Sequence, residues 1–507
     1  MRTFEGVFRQ FRRRVGITVG QARAMLRVAA FFFFFVAGVT ITKSATNALF
    51  LTRRDPQDLP YLYLCTAVAV TVVTVALGRR LVRTSAKEVL IGAIWRAAGA
   101  LTLLGALSHA NVPGALGGLY VAGEVYATAL SVLFWARLGE MFDVRSAKRV
   151  FGGIAAAGMG GAVVGGLALQ SFASMLPSLV WCLLAAASLL LVRPLLGRTD
   201  AHSVNRPRAR FAHGLRYAVR DGFPRGLALL VLLLAVQSAA IDYVFRVSAA
   251  RTYVTDESSL TALFGFLHAA VGVGALGVQA FGTGPLLRRF GVFAFLSFIP
   301  VVCLGLAAAL WWQPHWFALV FALKAFEMMG SLSLNQPALG ILYNPMPVGV
   351  RDAVRAVIDG SVKKLGGAVG GGLLLVVGAQ EPAVGLVGGL AVLLIWRVYR
   401  LRARYWAALA DKLAESEAPA VVVGIEPSDR ATRQKLIIAL ESSDARTVLR
   451  ALEILARHPG PDLPLYLIRM LTHPADDVRD RAIALIREAP QKRYASYLEK
   501  IIHAPGS

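Results

Sequence analysis

The chain has 507 residues, of which 56% are hydrophobic and only 17% are charged. Soluble domains contain roughly 45–50% apolar and about 25% charged residues, so this chain has too little polar surface to coat soluble domains of its size. The composition also excludes a disordered chain, a collagenous repeat and a secreted disulfide scaffold. The remaining class is a polytopic membrane protein.

The net charge of +24 is spread unevenly along the chain. Residues 411–507 hold 14 basic and 14 acidic groups, so the whole excess lies in the first 410 residues. There it occupies short loops between apolar runs, which indicates membrane orientation rather than a nucleic-acid partner. The three cysteines, Cys65, Cys182 and Cys303, lie inside apolar runs, which argues against disulfides and thiolate metal sites.

Twelve apolar runs approach or exceed the length of about 20 residues that spans a bilayer as a helix. The predicted fold class is therefore all-α, with twelve transmembrane helices. The runs lie near residues 26–51, 60–77, 89–108, 115–136, 150–172, 177–196, 226–248, 260–281, 291–312, 314–334, 357–378 and 382–399.

The basic residues of the loops lie mostly on one side of the membrane. Loops on the opposite side contain Arg53, Arg54 and Arg251. Because positively charged loops stay in the cytoplasm, both termini are predicted to be cytoplasmic, in a multi-pass protein of the inner membrane. On the basic side, Lys and Arg number six before residue 25, four in 78–88, four in 137–149 and seven in 198–225.

A basic loop at residues 197–225 divides the predicted spans into two sets of six. This layout, with a central cytoplasmic loop, resembles the major facilitator superfamily, whose halves are repeats. The resemblance implies two six-helix bundles. The N-terminal bundle would occupy residues 26–196, after a cytoplasmic segment at residues 1–25, and the C-terminal bundle with its exit helix would occupy residues 226–410.

Glycine spacing favours the same internal symmetry. Gly161 and Gly165 in the fifth span form a GxxxG pattern, as do Gly366 and Gly370 in the eleventh. Glycines at this spacing let two helix backbones approach closely. We therefore expect the fifth and eleventh spans to be equivalent helices that share a close-packing surface; the alternative is ordinary glycine usage in membrane helices.

Residues 411–507 form a different kind of segment. Leu440–Leu455 aligns with Leu471–Ile486 at an offset of 31 residues. In both, small and acidic residues precede an amphipathic helix that places Ala451 and Ala482, and Leu452 and Ile483, on one face. The pattern resembles HEAT-type helical repeats and predicts a small cytosolic domain that binds a protein partner. A generic helical hairpin is the alternative.

Seven ionisable side chains lie in or at the ends of the predicted spans, where a charge is costly unless it meets a cavity or a partner. Two pairs can neutralise themselves, since residues three or four apart share a helix face. These pairs are Asp242 with Arg246 and Lys324 with Glu327.

The other three charged side chains have different surroundings. Lys43 and Glu124 lack a local partner, which predicts either a cavity role or an ion pair between helices. Glu140 lies among charges at the end of the fourth span and could instead form a loop salt bridge.

Motifs of enzymes are missing from the sequence. It contains no Walker A sequence and no HExxH motif, and no Ser or Cys has an identifiable base nearby. We therefore predict that the protein is not an enzyme and needs no metal or other cofactor.

Several strings resemble the ATP/ADP translocase family of plastids and intracellular bacteria. One runs from Phe134 to Gly161 (FWARLGEMFDVRSAKRVFGGIAAAGMGG), and another, Tyr343 to Asp359, precedes the eleventh span. Gly123-Glu124-Val125-Tyr126 and Leu59-Pro60-Tyr61 are similar too. The resemblance covers about residues 25–400, and bacterial relatives of this family often carry HEAT-like tails.

The resemblance implies a major-facilitator-like fold and exchange of nucleotides across the membrane. Under it, Glu140 corresponds to a functional glutamate, Asp242 replaces a glutamate and Arg246 replaces a lysine. The chain departs from the family where charged residues are expected, at Thr46, Ser331, Gln336 and Gly367.

The sequence thus predicts a secondary transporter of an anionic small molecule, with a nucleotide implied by the resemblance. Two alternatives stay open: a transporter-like scaffold or sensor that recruits a partner through its tail, and a major-facilitator exporter of another substrate. The predicted substrate-binding residues are Lys43, Glu124, Arg246 and Lys324, and the predicted gating or coupling residues are Glu140, Asp242 and Glu327.

Overall fold

The computed structural model describes most of the chain, and within it regular structure is entirely helical. Twelve of these helices are long and apolar enough to cross a bilayer, which confirms the predicted fold class. The described residues are 19–81, 84–141, 144–196, 211–220, 222–253, 256–378, 380–415, 430–442, 444–457 and 463–488.

The twelve spanning helices alternate in direction. We call the membrane face at which α1 begins, predicted to be cytoplasmic, the inner face, and the opposite one the outer face. The helices are α1 Val19–Arg53, α2 Leu59–Leu81, α3 Ala86–His109, α4 Ala115–Met141, α5 Val144–Phe172, α6 Ser178–Leu195, α7 Gly222–Thr252, α8 Glu257–Gly282, α9 Val292–Trp312, α10 Phe317–Leu342, α11 Ala353–Val377 and α12 Gln380–Glu415.

Three spanning helices contain a π-helical turn, in which one extra residue is accommodated. These turns are Val278–Gly282 in α8, Ser331–Asn335 in α10 and Ala356–Val362 in α11. The first residues of α11, before its π turn, are the end of a short helix at Val348–Arg355. Such turns often occur at functional sites. A further helix, Phe211–Arg220, lies within the segment predicted to be the central loop and packs on α11, where Gly214 meets Ala353.

The glycine-rich helices pack as their sequence pattern predicts. A Cβ atom on Gly161 would lie 2.1 Å from the carbonyl oxygen of Phe33 in α1. A Cβ atom on Gly366 would lie 2.7 Å from the carbonyl oxygen of Leu232 in α7. Both distances are too short for any side chain, so α5–α1 and α11–α7 are equivalent backbone-to-backbone contacts, and the prediction of a shared packing surface is confirmed.

The two bundles are joined at the outer face. The backbone N–H of Ser178, at the start of α6, donates to Glu257 Oε1 at 2.9 Å, and its hydroxyl lies 2.9 Å from that of Thr261. Nearby, Gly166 in α5 and Gly265 in α8 touch backbone to backbone, since a Cβ on either would lie 2.5–2.6 Å from the other's carbonyl oxygen. These contacts hold α5 and α6 against α8.

The described part of the tail contains four helices, α13 Arg430–Ala439, α14 Ala445–Arg457, α15 Leu463–Met470 and α16 Asp476–Glu488. Ala451, Leu452 and Ala482 are fully buried, as the aligned pattern predicts, whereas Ile483 is 39% exposed. Consecutive helices of the tail contact one another, α14 contacts α16, and α14 also contacts α12. Their identity as HEAT repeats stays a prediction.

Candidate functional site

Lys43 and Glu124 form an ion pair between α1 and α4. The Nζ atom of Lys43 lies 2.8 Å and 2.9 Å from the two carboxylate oxygens of Glu124. Both side chains keep some exposure, 31% and 21%. Of the two possibilities that the sequence left open for these residues, the structure has the pair between helices, on a partly open surface inside the membrane domain.

Lys364 places a second ammonium group near the same carboxylate, without contacting it directly. It lies in α11 of the C-terminal bundle and donates to the hydroxyl of Thr128 in α4 at 3.2 Å. It also lies within electrostatic range of Glu124 and Lys43. Among the described residues, no carboxylate lies at ion-pair distance from Lys364. One acid therefore faces two lysines, one from each bundle.

A second charged cluster connects α7 and α10. Asp242 binds Arg246 at 2.7 Å and Lys324 at 3.2 Å, and Lys324 also binds Glu327 at 3.2 Å. The two predicted local pairs therefore exist, but Lys324 and Asp242 link them into one chain between helices. Three of these four side chains are about one-tenth exposed or less, and Asp242 is 20% exposed. The cluster balances its own charge.

Two tyrosines of the N-terminal bundle reach into this second cluster. Tyr63 of α2 donates its hydroxyl to Asp242 at 3.0 Å, and Arg246 donates to the hydroxyl of Tyr120 of α4. The guanidinium carbon of Arg246 lies 5.7 Å and 5.4 Å from the centres of the two rings. A cation held over aromatic faces in this way is stabilised electrostatically. The tyrosines thus tie the two bundles together.

His268 of α8 lies within electrostatic range of both clusters, of Lys43 in the first and of Lys324 and Asp242 in the second. Its Nδ1 atom lies 2.8 Å from the carbonyl oxygen of Phe264. The side chain of Glu140 lies outside the described part of the chain. Together the two clusters contain four cationic and three carboxylate side chains, so the charged interior carries one excess positive charge.

Sequence reasoning missed the two tyrosines, Thr128 and His268, because uncharged or single polar residues in a span carry no distinctive signal. The charge of Lys364 is visible next to Lys363, but nothing local assigns it to Glu124. Among the described residues, no group of His, Cys, Asp and Glu side chains is large enough to hold a metal ion.

The fold is shared with solved transporter structures. The chain resembles a D-xylose-proton symporter (TM-score 0.55, 10% identity, 75% of this chain and 97% of that one) and the nucleoside transporter NupG (0.53, 14%, 75% and 98%). It also resembles a bacterial homologue of the human lysosomal transporter Spinster, solved inward-facing and unoccupied (0.51, 11%, 80% and 100%). No protein-family model and no curated protein matches the sequence. The chain therefore has the fold of these major-facilitator-type proteins.

Proposed function

We propose that the protein is a secondary transporter that carries an anionic solute by alternating access, with a nucleotide as the substrate that the sequence resemblance predicts. The observation that supports this proposal is the one excess positive charge of the two charged clusters. Lys43 binds Glu124, Lys364 lies within electrostatic range of the same carboxylate, and among the described residues the direct partner of Lys364 is the hydroxyl of Thr128.

The two lysines suit an anion that bridges the bundles. An ammonium group inside a membrane domain is costly without a counter-charge and usually faces a cavity or a partner. Lys43 belongs to α1 of the N-terminal bundle and Lys364 to α11 of the C-terminal bundle. An anion held between them contacts both bundles at once, which is what coupling of binding to a rocking motion requires.

The second cluster suits a different role. Asp242, Arg246, Lys324 and Glu327 already balance one another, and removing one partner of a buried ion pair leaves an expensive uncompensated charge. We assign Arg246 and Lys324 to the wall of the substrate path, and Asp242 and Glu327, with Glu140, to gating or coupling. The fold supports transport, since its solved neighbours include transporters of a nucleoside and of a sugar with protons.

The cellular setting belongs to the same proposal. The basic loops favour an inner-membrane protein with both termini in the cytoplasm, where the tail would meet a protein partner. The alternative function is a scaffold that transports little solute. The contact of the tail with α12 is the feature that supports this alternative.

The proposal is tested by counterflow in proteoliposomes. Vesicles preloaded with unlabelled ADP should accumulate labelled ATP or ADP, and Lys364→Ala should abolish this accumulation. Lys87→Ala removes a lysine outside both clusters and should transport as the wild type does. An absence of nucleotide flux under every gradient would overturn the nucleotide substrate. If the protein shows no flux and its tail binds a protein partner, the scaffold function would be favoured.

A further inference from the structure

The two bundles can be aligned residue by residue from their contacts. Gly161 and Gly165 meet the carbonyl oxygens of Phe33 and Ala37, whereas Gly366 and Gly370 meet those of Leu232 and Val236. Helix α7 therefore repeats α1 with a shift of 199 residues (33 to 232), and α11 repeats α5 with a shift of 205 (161 to 366). The shift of 205 applies to residues of α11 after its π turn at Ala356–Val362. Because the turn adds one residue, the shift before the turn is 204.

The ion pairs align α4 with α10. Lys43 of α1 binds Glu124, and its counterpart in α7, Asp242, binds Lys324. Residue 124 thus corresponds to 324, with the two charges exchanged between the repeats. The π turn at Ser331–Asn335 then adds one residue, so positions from its last residue, Asn335, onward shift by 201.

The inner half of the N-terminal bundle is filled by aromatic rings. Phe32 stacks on Phe134 with 4.4 Å between the ring centres, and Trp135 meets Phe151 edge-on at 5.6 Å. Phe35 packs beside Phe32 at 6.0 Å. We call these five residues the aromatic plug. A Cβ on Gly158 would lie 2.4 Å from the ring of Phe32, so the glycine makes room for that ring.

The C-terminal bundle has none of these rings at the matching positions. The counterparts of the aromatic plug are Val231, Leu234, Asn335, Gln336 and Arg355, and all five line one cavity of about 300 Å³ between α7, α10 and α11. Two of the π turns, Ser331–Asn335 and Ala356–Val362, contribute to its wall. The cavity is therefore particular to this half of the molecule and not a general property of the repeat.

The cavity wall combines carboxamides with an aliphatic surface. Asn335 is only 6% exposed, and its Oδ1 atom has no hydrogen-bond partner among the described residues. A buried polar atom without a partner is costly, and a ligand that donates a hydrogen bond to it would remove that cost. The uncharged hydrogen-bonding side chains are Gln237, Ser238, Ser331, Asn335 and Gln336, and the aliphatic ones are Val231, Leu234, Ala235, Ile299 and Leu339. The charged side chains of the wall are Glu327, Arg355, Asp359 and Lys363; Arg355 pairs with Asp359, and Glu327 pairs with Lys324.

We propose that this cavity binds an uncharged planar ring with adjacent hydrogen-bond donor and acceptor atoms, such as a nucleobase. A carboxamide matches such an edge with two hydrogen bonds, and three carboxamides line the cavity. The aliphatic wall covers the flat face of a ring. Glu327 belongs both to this cavity and to the charged cluster, so ring and anionic group lie in one path. The statement that the ring is part of the transported solute rests on the proposed function. The statement that the cavity binds such a ring does not.

The experiment uses nucleosides, which lack the phosphate that the charged clusters would hold. Adenosine and uridine are titrated into the purified full-length protein, with binding followed by calorimetry and by the melting temperature. Both should bind, and Asn335→Leu and Gln336→Leu should each weaken binding about tenfold, the equivalent of 1.4 kcal/mol. Gln313→Leu, which changes an exposed residue at the outer end of α9, should bind as the wild type does.

A second variant keeps every hydrogen-bonding group and refills the space. Leu234→Phe introduces the residue that the N-terminal bundle has at the matching position, Phe35, and should abolish nucleoside binding without lowering the melting temperature. The proposed site would be wrong if Leu234→Phe and Asn335→Leu bound the nucleosides as the wild type does, or if the wild type bound neither nucleoside. If D-ribose, which lacks a planar ring, bound as tightly as the nucleosides, the cavity would not recognise a planar ring. Nucleoside binding in a protein without anion flux would count against the proposed function and still support the cavity.

Discussion

Substitution of Gly166 by alanine should open the outer face of the protein. A Cβ at this position would lie 2.5 Å from the carbonyl oxygen of Gly265, whereas ordinary van der Waals contact begins near 3.4 Å. Helices α5 and α8 must therefore separate by about 0.9 Å. Because the two helices belong to different bundles, the strain falls on the state in which the outer face is closed.

The size of the effect follows from the cost of overpacking. A methyl group forced into a packed contact costs about 1–3 kcal/mol. The better helix propensity of alanine, about 1 kcal/mol, applies to closed and open states alike and cancels between them. The closed-to-open ratio should therefore fall by roughly 5-fold to 150-fold, at 1.4 kcal/mol for each factor of ten.

A single reporter cysteine measures this ratio. Ala173 is 6% exposed in a short turn, Ala173–Met175, that packs on α8 at the outer face. In an Ala173→Cys protein whose three native cysteines are replaced, Gly166→Ala should speed reaction with an impermeant maleimide at the outer face. Gly160→Ala is the matched control, since a Cβ there meets only ordinary contacts of 3.6 Å. Equal labelling rates in the two alanine variants would refute the reasoning.

Three further outcomes are expected. Tyr63→Phe removes the hydroxyl that donates to Asp242, and a hydrogen bond to a charged group is worth about 1.5–3 kcal/mol. This variant should therefore raise the labelling rate of the cysteine at position 173. An unchanged rate would show that Tyr63 does not hold the two bundles together. Arg246→Ala should abolish nucleotide uptake into liposomes while the protein is still expressed, and persistent uptake would remove Arg246 from the path. Deletion of residues 415–507 should leave a membrane-inserted protein in a fractionation assay, and aggregation would show that the tail supports the fold.

Much of the architecture was predictable because it depends on local properties of the chain. The length of each apolar run decides whether it spans a bilayer, and the Gly161 and Gly366 patterns decide where backbones touch. Each of these signals occupies fewer than thirty consecutive residues. The helix at Phe211–Arg220 was missed because its Arg-rich sequence reads as a loop until α11 supplies the surface on which it packs.

The sequence identifies the charged residues of the two clusters but does not predict the contacts between helices that connect them. Lys43 and Glu124 stand out as charges in apolar runs, yet their mutual contact depends on the arrangement of α1 and α4, 81 residues apart in sequence. The link between Lys324 and Asp242 joins two pairs that each look complete by themselves. The cavity beside Asn335 is harder still to foresee, because its main sign is the absence of aromatic rings. Such an absence is visible only when two repeats are aligned.

The length of α12 has a mechanical consequence. Its 36 residues, Gln380–Glu415, make a helix about 54 Å long, whereas the hydrocarbon core of a bilayer is about 30 Å thick. The remainder projects from the inner face as a stiff rod, and α14 of the tail rests against it. Under the proposed function, a tilt of the C-terminal bundle would displace the tail sideways, and a protein bound to the tail would change its position with it.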